Sequence, residues 1–158
     1  MNDREWARDL LDAQEGTGPV ELLGSADAAD LLARARRVAI VGASPNPARP
    51  SFGVMRYLLD EGYEVVPINP NADEILGERA YPTLEDAVAA TGRFDIVDVF
   101  RRPEHTPDIA RAAVATGAGA LWLQLGVVNW EAAQIAHDGG LSVVMDRCTA
   151  IEHRRIRR

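Results

Sequence analysis

Short apolar runs alternate with amphipathic segments along most of the chain. Five runs rich in β-branched or aromatic residues indicate strands at Arg37–Gly42, Tyr63–Asn69, Phe94–Phe100, Ala120–Leu125 and Leu141–Met145. Around them, apolar residues recur at helical spacing, which predicts helices over Asp27–Ala35, from Ser51 to Gly62, and over Leu84–Ala90, Asp108–Thr116 and Asn129–Ala136.

Strands that alternate with helices indicate crossover connections and a parallel sheet covered on both faces. We therefore predict an α/β fold, a doubly wound Rossmann-like sheet of about five strands in the order 3-2-1-4-5. Residues 1–24, broken near Gly16, are expected to form an N-terminal helical extension, and residues 25–158 the domain. Ligands bind such sheets at the carboxyl ends of the strands, where the strand order reverses, so the loops there hold the candidate residues.

Composition and charge narrow the function classes. The chain has 158 residues, 47% of them hydrophobic and 26% charged, which suits one globular domain. Its net charge of −7 argues against nucleic-acid binding. Its apolar runs are far shorter than the ~20 residues of a membrane helix, and the charged N-terminus is unlike a signal peptide. We therefore expect a cytoplasmic protein.

The sequence lacks the residues that several kinds of catalytic and metal site require. All 17 basic residues are arginine, which excludes Schiff-base lysines and the lysine of an ordinary P-loop. The three histidines have no metal-ligand spacing, and no nucleophile elbow occurs. Cys148 is the only cysteine, so no internal disulfide can form. We therefore identify no catalytic residues and no metal site.

The loop after the first strand has features of a phosphate site. Gly42 allows a tight turn, and small Ala43 and Ser44 let an anion approach the backbone amides. Arg49 lies in the same loop, and a helix predicted to begin at Ser51 would add its N-terminal amides. The same residues would also suit a proline-stiffened connection with a surface arginine.

The second strand does not end as in proteins that bind NAD. The G-x-G-x-x-G pattern is missing, and no acid is present there to hold a ribose hydroxyl. Pro67 and Pro70 flank Asn69 instead and restrict the backbone. This neutral edge suits an adenosine, although an ordinary turn would explain the same residues.

The later strand ends add cations and one polar amide. Arg101 and Arg102 follow Phe100, which suggests a polyanionic small ligand in an otherwise acidic protein. Phe100 would either stack on a base or pack against neighbours. Gln124 interrupts an apolar run just before Gly126, and its amide needs a partner in a ligand or in the protein.

The side chains that follow these strand ends leave four questions open. Arg102, His105 and Arg147 lie near the same rim, and the residues do not tell whether they touch a ligand. Cys148 is either a buried, incidental thiol or a group beside a thiol-bearing cofactor.

Five motifs at the five strand ends together resemble the stand-alone CoA-binding domain proteins. They are VAIVGASPNPARPS, YEVVPINP, VDVFRRPEHTP, WLQLGV and VVMDRC, and the resemblance covers about residues 30–155. This family is similar in fold to the CoA-binding domain of succinate–CoA ligase alpha subunits. The resemblance implies coenzyme A or acyl-CoA as the ligand.

The resemblance also implies roles for individual residues. Phosphates would be held by Gly42, Ala43, Ser44, Asn46 and Arg49, the adenosine side lined by Pro67, Asn69 and Pro70, the nucleotide bordered by Phe100 and Arg101, and the pantetheine arm flanked by Gln124 and Gly126. The phosphohistidine domain and the ATP-binding half of the ligases have no counterpart here. Ligase activity is therefore not implied.

The expected function is that of a small non-catalytic module that binds CoA or acyl-CoA as a sensor, carrier or partner subunit. The alternative is an NADP-dependent oxidoreductase, or its cofactor-binding subunit, with arginines that read a 2′-phosphate. A structural subunit with an empty cleft is a third possibility. A partner protein or weak self-association is compatible with each, and the acyl group and oligomeric state are left open.

Overall fold

Strands and helices alternate along residues 2–156, the part of the chain that the computed structural model describes. In chain order the elements are α1 (Asp3–Glu15), α2 (Ser25–Arg34), β1 (Arg37–Val41), α3 (Pro50–Asp60), β2 (Glu64–Ile68), β3 (Glu74–Ile75), β4 (Glu78–Arg79), α4 (Leu84–Thr91), β5 (Ile96–Val99), a 3₁₀ turn (Pro103–His105), α5 (Thr106–Ala115), β6 (Ala120–Leu123), α6 (Trp130–Asp138), β7 (Ser142–Val144) and α7 (Thr149–Ile156). Among these helices, none has both the length and the apolar character that crossing a membrane requires.

The predicted fold class is confirmed. Five parallel strands form one sheet in the order β2-β1-β5-β6-β7, and β3 and β4 form a separate two-stranded ribbon. Strand β1 lies between β2 and β5, with Val38 opposite Val65 on one side and Ile96 on the other.

The predicted strand order is wrong. Counting only the five parallel strands, the order is 2-1-3-4-5 rather than 3-2-1-4-5, because the third strand pairs with the first. Pro67 supplies a physical reason: it has no N–H for a second neighbouring strand, so β2 suits an edge. The Tyr81 N–H donates to the Pro67 carbonyl from outside the five-stranded sheet.

Each face of the sheet has its own hydrophobic core. Alternating residues such as Val97 and Val99 pack with α4, α5 and α6. Ile96 and Trp122 pack on the opposite face with α2 and α3, where α7 also contacts both helices. Because both faces are covered, every residue of β5 and β6 is buried.

Local signals place most helix starts. Thr83 and Asn129, residue types that favour this position, are N-caps and accept hydrogen bonds from Asp86 N and Ala132 N. Helix α3 instead begins at Pro50, since proline is preorganised for the first helical turn, and Arg49 is its N-cap. Ser51 is therefore buried inside the first turn rather than capping it.

The N-terminal segment packs on the domain. Helix α1 ends at Glu15, and Gly16, its C-cap, adopts the left-handed conformation. Trp130 Nε1 donates to the Asp9 carbonyl (3.3 Å), and Leu23 N donates to the Val143 carbonyl at the outer edge of β7 (2.8 Å). The boundary between residues 24 and 25 stays a prediction.

Candidate functional site

The carboxyl ends of β1 and β5 lie side by side at the point where the strand order reverses. From β1 the chain goes to β2 on one side, and it later returns to β5 on the other. Hydrogen bonds from Gly42 N to Ile68 O (3.3 Å) and from Phe100 N to Val41 O (2.8 Å) extend the pairing beyond the strands. This switch point is the usual ligand position in an open α/β sheet.

Gly42 is required at this point by two separate constraints. Its φ is 88°, a conformation that favours glycine. A Cβ on Gly42 would lie 2.6 Å from the Phe100 carbonyl oxygen and 3.1 Å from Arg101 Cδ. The turn after β1 therefore packs directly against the backbone after β5.

Asn69 supports the same turn from the β2 side. Its Nδ2 donates to the Ala43 carbonyl (2.9 Å), and its Oδ1 accepts from Asn71 N (2.7 Å). The side chain at the end of β2 therefore fixes the position of the loop that follows β1.

Two cavities meet at this turn, and Gly42 and Arg101 belong to the walls of both. The first cavity, about 530 Å³, has Ala43, Asn69, Pro70, Thr83, Glu85 and Asp108 among its lining residues. The second cavity, about 600 Å³, has Ser44, Arg49, Phe100, Gln124, Leu125 and Cys148 among its lining residues. Both volumes are in the range of small-molecule sites.

The charges are distributed unequally between the two cavities. Arg49, Arg101 and Arg102 line the second cavity, and within residues 2–156 none of them forms an ion pair. The acidic side chains Glu85 and Asp108 line the first cavity. An anion is therefore favoured at the junction and in the second cavity, and hydroxyl or amino donors are favoured in the first.

A buried polar cluster lies beneath the second cavity. Gln124 Nε2 donates to Asp98 Oδ1 (2.5 Å) and to Thr149 Oγ1 (3.0 Å), and Thr149 Oγ1 donates to Asp98 Oδ2 (3.0 Å). The partners of the Gln124 amide N–H groups are thus side chains of the protein. Burial raises the pKa of Asp98 to about 7, although hydrogen bonds from Gln124, Thr149 and the Val99 amide oppose the shift.

Ten of the twelve predicted site residues line one of the two cavities. The remaining two lie elsewhere: Asn46 forms turns within its loop with Ser44 and Ala48, and Pro67 lies within β2. Phe100 is in the wall of the second cavity, away from the Asn69 side.

The four side chains at the rim differ in their positions relative to the cavities. Arg102 and Cys148 line the second cavity, and the Cys148 side chain is half-buried. His105 lines neither cavity, and Arg147 pairs with Glu152 (3.2 Å). In the described part of the chain, no three potential metal-ligating side chains cluster together.

Several wall residues were not predicted. Thr83 and Glu85 at the start of α4, and Asp108 and Ile109 in α5, close the first cavity. In the sequence, Thr83 is recognisable as the N-cap of α4, but this signal does not show which helix packs beside α4. Helices α4 and α5 come together only because both pack on the same face of the sheet.

Comparisons with known proteins agree with this architecture. The model of the CoA binding domain family matches residues 36–154. The uncharacterized protein YneT of Bacillus subtilis (strain 168) is 41% identical over 128 residues, which are 81% of this chain and 93% of that protein.

Two solved structures extend the comparison. A hypothetical protein from Pyrococcus horikoshii OT3 is 38% identical, with a TM-score of 0.81 over 86% of this chain and 94% of that one. The apo form of the dinucleotide forming acetyl-coenzyme A synthetase 1 from Ca. Korarchaeum cryptofilum is 24% identical, with a TM-score of 0.60 over 70% of this chain and 26% of that chain. This last likeness concerns the fold alone.

Proposed function

The chain belongs to the CoA binding domain family, and we propose that it binds coenzyme A or an acyl-CoA across the two cavities that meet at Gly42. The observation that carries the proposal is this junction, where a close-packed glycine turn lies beside arginines that form no ion pair within residues 2–156. CoA is long and has its pyrophosphate between two dissimilar ends, which matches two cavities of different character.

The pyrophosphate is assigned to the junction. Backbone amides of a glycine turn form a concave anion site. Arg101 lines both cavities, and Arg49 and Arg102 line the second, so guanidinium groups are available to the phosphates beside the turn. Charge-assisted hydrogen bonds from arginine to phosphate are about twice as strong as neutral ones.

The two ends of the ligand are assigned from the chemistry of the walls. Asn69, Glu85 and Asp108 offer acceptors for the free 2′-hydroxyl of the ribose and for the adenine amino group in the first cavity. We assign the 3′-phosphate to the side of this cavity that Arg101 lines, away from the two carboxylates. The second cavity combines Phe100, Leu125 and Gln124, which suits an arm that is partly apolar and contains amides. Phe100 is thereby assigned to the pantetheine arm rather than to the nucleotide.

We assign the protein a non-catalytic role as a sensor, carrier or partner subunit in the cytoplasm. The support is that the residues lining the two cavities would supply contacts to phosphates and amides, and that we recognise no set of acid, base and nucleophile among them. A partner protein or a second copy of the chain is compatible with this role.

Binding is tested by thermal unfolding and calorimetric titration with CoA, acetyl-CoA, NADP and NAD. At about 100 times Kd, CoA should add about 2.7 kcal/mol to the free energy of unfolding, which raises Tm by roughly 5–10 °C. NADP at the same concentration should add little. Absence of a shift with millimolar CoA would refute the proposal, and a larger shift with NADP would favour the oxidoreductase alternative.

Replacing Arg101 by alanine should weaken CoA binding. Loss of one charge-assisted hydrogen bond corresponds to about 1.5–3 kcal/mol, or roughly 10- to 150-fold in Kd, measured by calorimetry. The matched control is Arg36→Ala, which removes the same charge next to the opposite end of β1. Equal losses in both variants would indicate a general charge effect and argue against the junction as the phosphate site.

Cys148 reports on the second cavity without any mutation, because it is the only thiol in the chain. Saturating acetyl-CoA, which has no free thiol to consume the reagent, should slow alkylation of Cys148 by up to about 100-fold at 100 times Kd. Intact mass measures the rate, and adenosine 3′,5′-bisphosphate, which has no pantetheine arm, is the control ligand. An unchanged rate of Cys148 alkylation at saturating acetyl-CoA would refute the assignment of the pantetheine arm to this cavity.

A further inference from the structure

In the cluster of Asp98, Gln124 and Thr149, only one side-chain polar atom forms no hydrogen bond with another member of the cluster. Asp98 is fully buried in the middle of the sheet, and Gln124 is only 4% exposed. Both Asp98 oxygens accept hydrogen bonds, and Thr149 Oγ1 both donates and accepts. Gln124 Oε1 alone has no protein partner among the described residues.

This oxygen faces the second cavity. Across residues 2–156, no fully buried side-chain oxygen or nitrogen is without a partner, so Gln124 Oε1 is not sealed inside the protein. Gln124 lines the second cavity together with Phe100 and Leu125. An amide that is held in place and has one unoccupied acceptor is a hydrogen-bonding site for a ligand that donates.

The carboxylate of Asp98 determines which end of the amide faces the cavity. An ionised carboxylate only accepts hydrogen bonds, so it requires the NH₂ group of Gln124 to turn inward. Thr149 strengthens this orientation, because its hydroxyl donates to Asp98 and leaves its lone pairs for Gln124 Nε2. A neutral amide at position 98 would accept either orientation of the Gln124 side chain.

We infer that Asp98 and Thr149 are positioning residues that present Gln124 Oε1 to the second cavity as an acceptor for an amide N–H of the pantetheine arm. The inference rests on the proposed CoA function and deepens it by naming the group that distinguishes CoA from ligands without the arm. Adenosine 3′,5′-bisphosphate shares the nucleotide portion but has no amide to donate, so it does not use Gln124.

The test compares CoA with adenosine 3′,5′-bisphosphate by calorimetry at pH 8, where Asp98 is ionised. Gln124→Met keeps the length of the side chain and removes the acceptor, so Kd for CoA should rise about tenfold while Kd for the bisphosphate stays unchanged. Gln134→Met is the matched control, since it makes the same change on the exposed face of α6 and should alter neither constant.

The reciprocal exchange Asp98→Asn with Gln124→Glu tests the orientation. The new amide at position 98 would donate to one oxygen of the new carboxylate at position 124 and leave the other oxygen facing the cavity. Most of the CoA affinity lost in Gln124→Met should therefore be present in this double variant. If Asp98 and Gln124 only stabilised the fold, the double variant would not be expected to regain affinity for CoA.

A measurement on the wild-type protein tests the contact without a variant. The side-chain NH₂ resonances of Gln124 should shift when CoA binds and should not shift with the bisphosphate, because only CoA brings an amide to the Gln124 carbonyl. Resonances that respond equally to both ligands would overturn the inference.

The outcomes separate this inference from the function on which it rests. If wild-type protein binds CoA but Gln124→Met binds it equally well, the inference is overturned and the CoA function stands. Equal weakening of both ligands by Gln124→Met also overturns it. Failure of the wild-type protein to bind CoA overturns both.

Discussion

Replacing Gly42 by alanine should destabilise the protein by about 2–5 kcal/mol and weaken CoA binding. The left-handed conformation costs a non-glycine residue about 1–2 kcal/mol. The new Cβ would also lie 2.6 Å from the Phe100 carbonyl oxygen, and relieving such overpacking costs about 1–3 kcal/mol more. Relief requires separation of the β1 and β5 loops, which would displace the proposed anion site.

Gly140→Ala is the matched control for this variant. Gly140 has φ +86°, close to the +88° of Gly42, but a Cβ there would have no atom within 4 Å. It should therefore incur only the conformational cost, about 1–2 kcal/mol in urea unfolding, and bind CoA normally. If the two variants are equally destabilised and equally competent to bind, the close approach at Gly42 has no energetic role.

Replacing Asp98 by asparagine should stabilise the protein at pH 8 by up to about 4 kcal/mol, or on the order of 10 °C in Tm. Burial raises the pKa of Asp98 to about 7 in the folded chain, whereas the ordinary value is 3.8. The folded state therefore binds this proton more tightly than the unfolded state. The stability that Asp98 contributes is full below about pH 4 and is lost as the pH rises through 7.

Urea unfolding of both proteins between about pH 4 and pH 8 measures this dependence. The advantage of Asp98→Asn should be absent at about pH 4, increase with pH, and level off above about pH 7. A variant that is less stable than wild type at every pH would show that the hydrogen bonds to the carboxylate outweigh the cost of burying it.

Asp95→Asn is a control with the opposite expected sign. Burial disfavours the Asp95 carboxylate, but hydrogen bonds from Arg36 N and Arg37 N and the nearby guanidinium groups lower its pKa overall. Its stabilising contribution is therefore present above about pH 4 and is lost as the pH falls below that value. Asp95→Asn should be less stable than wild type at about pH 8, and the difference should shrink in acid.

The Asp98 prediction also bears on the proposed binding site. A buried carboxylate without a cation lowers stability at neutral pH, and an apolar residue or an amide at that position would avoid this cost. One outcome is that Asp98→Asn gains stability while its preference for CoA over adenosine 3′,5′-bisphosphate declines. In that case the presence of a carboxylate at position 98 is explained by the orientation of Gln124 and not by a contribution to folding.

The strand order shows where prediction from the sequence stopped. The 2-1-3-4-5 and 3-2-1-4-5 orders use the same alternation of strands and helices, so hydrophobic periodicity does not distinguish them. Pro67 distinguishes the two orders, because a proline inside a strand suits a strand at the edge of a sheet. The observed order places Arg101 directly beside Gly42, whereas the predicted order would put the second strand between the first strand and the third.

The sequence by itself determined which residues reach the edge of the sheet where the two cavities lie. Parallel strands all end at one side of the sheet, so locating five strands was enough to select Gly42, Asn69, Arg101 and Gln124. The tertiary structure decided the neighbours: two cavities joined at Gly42, and a cluster whose members are 25, 26 and 51 residues apart. Local patterns report which face of an element is buried, but contacts at such separations depend on strand order and helix packing.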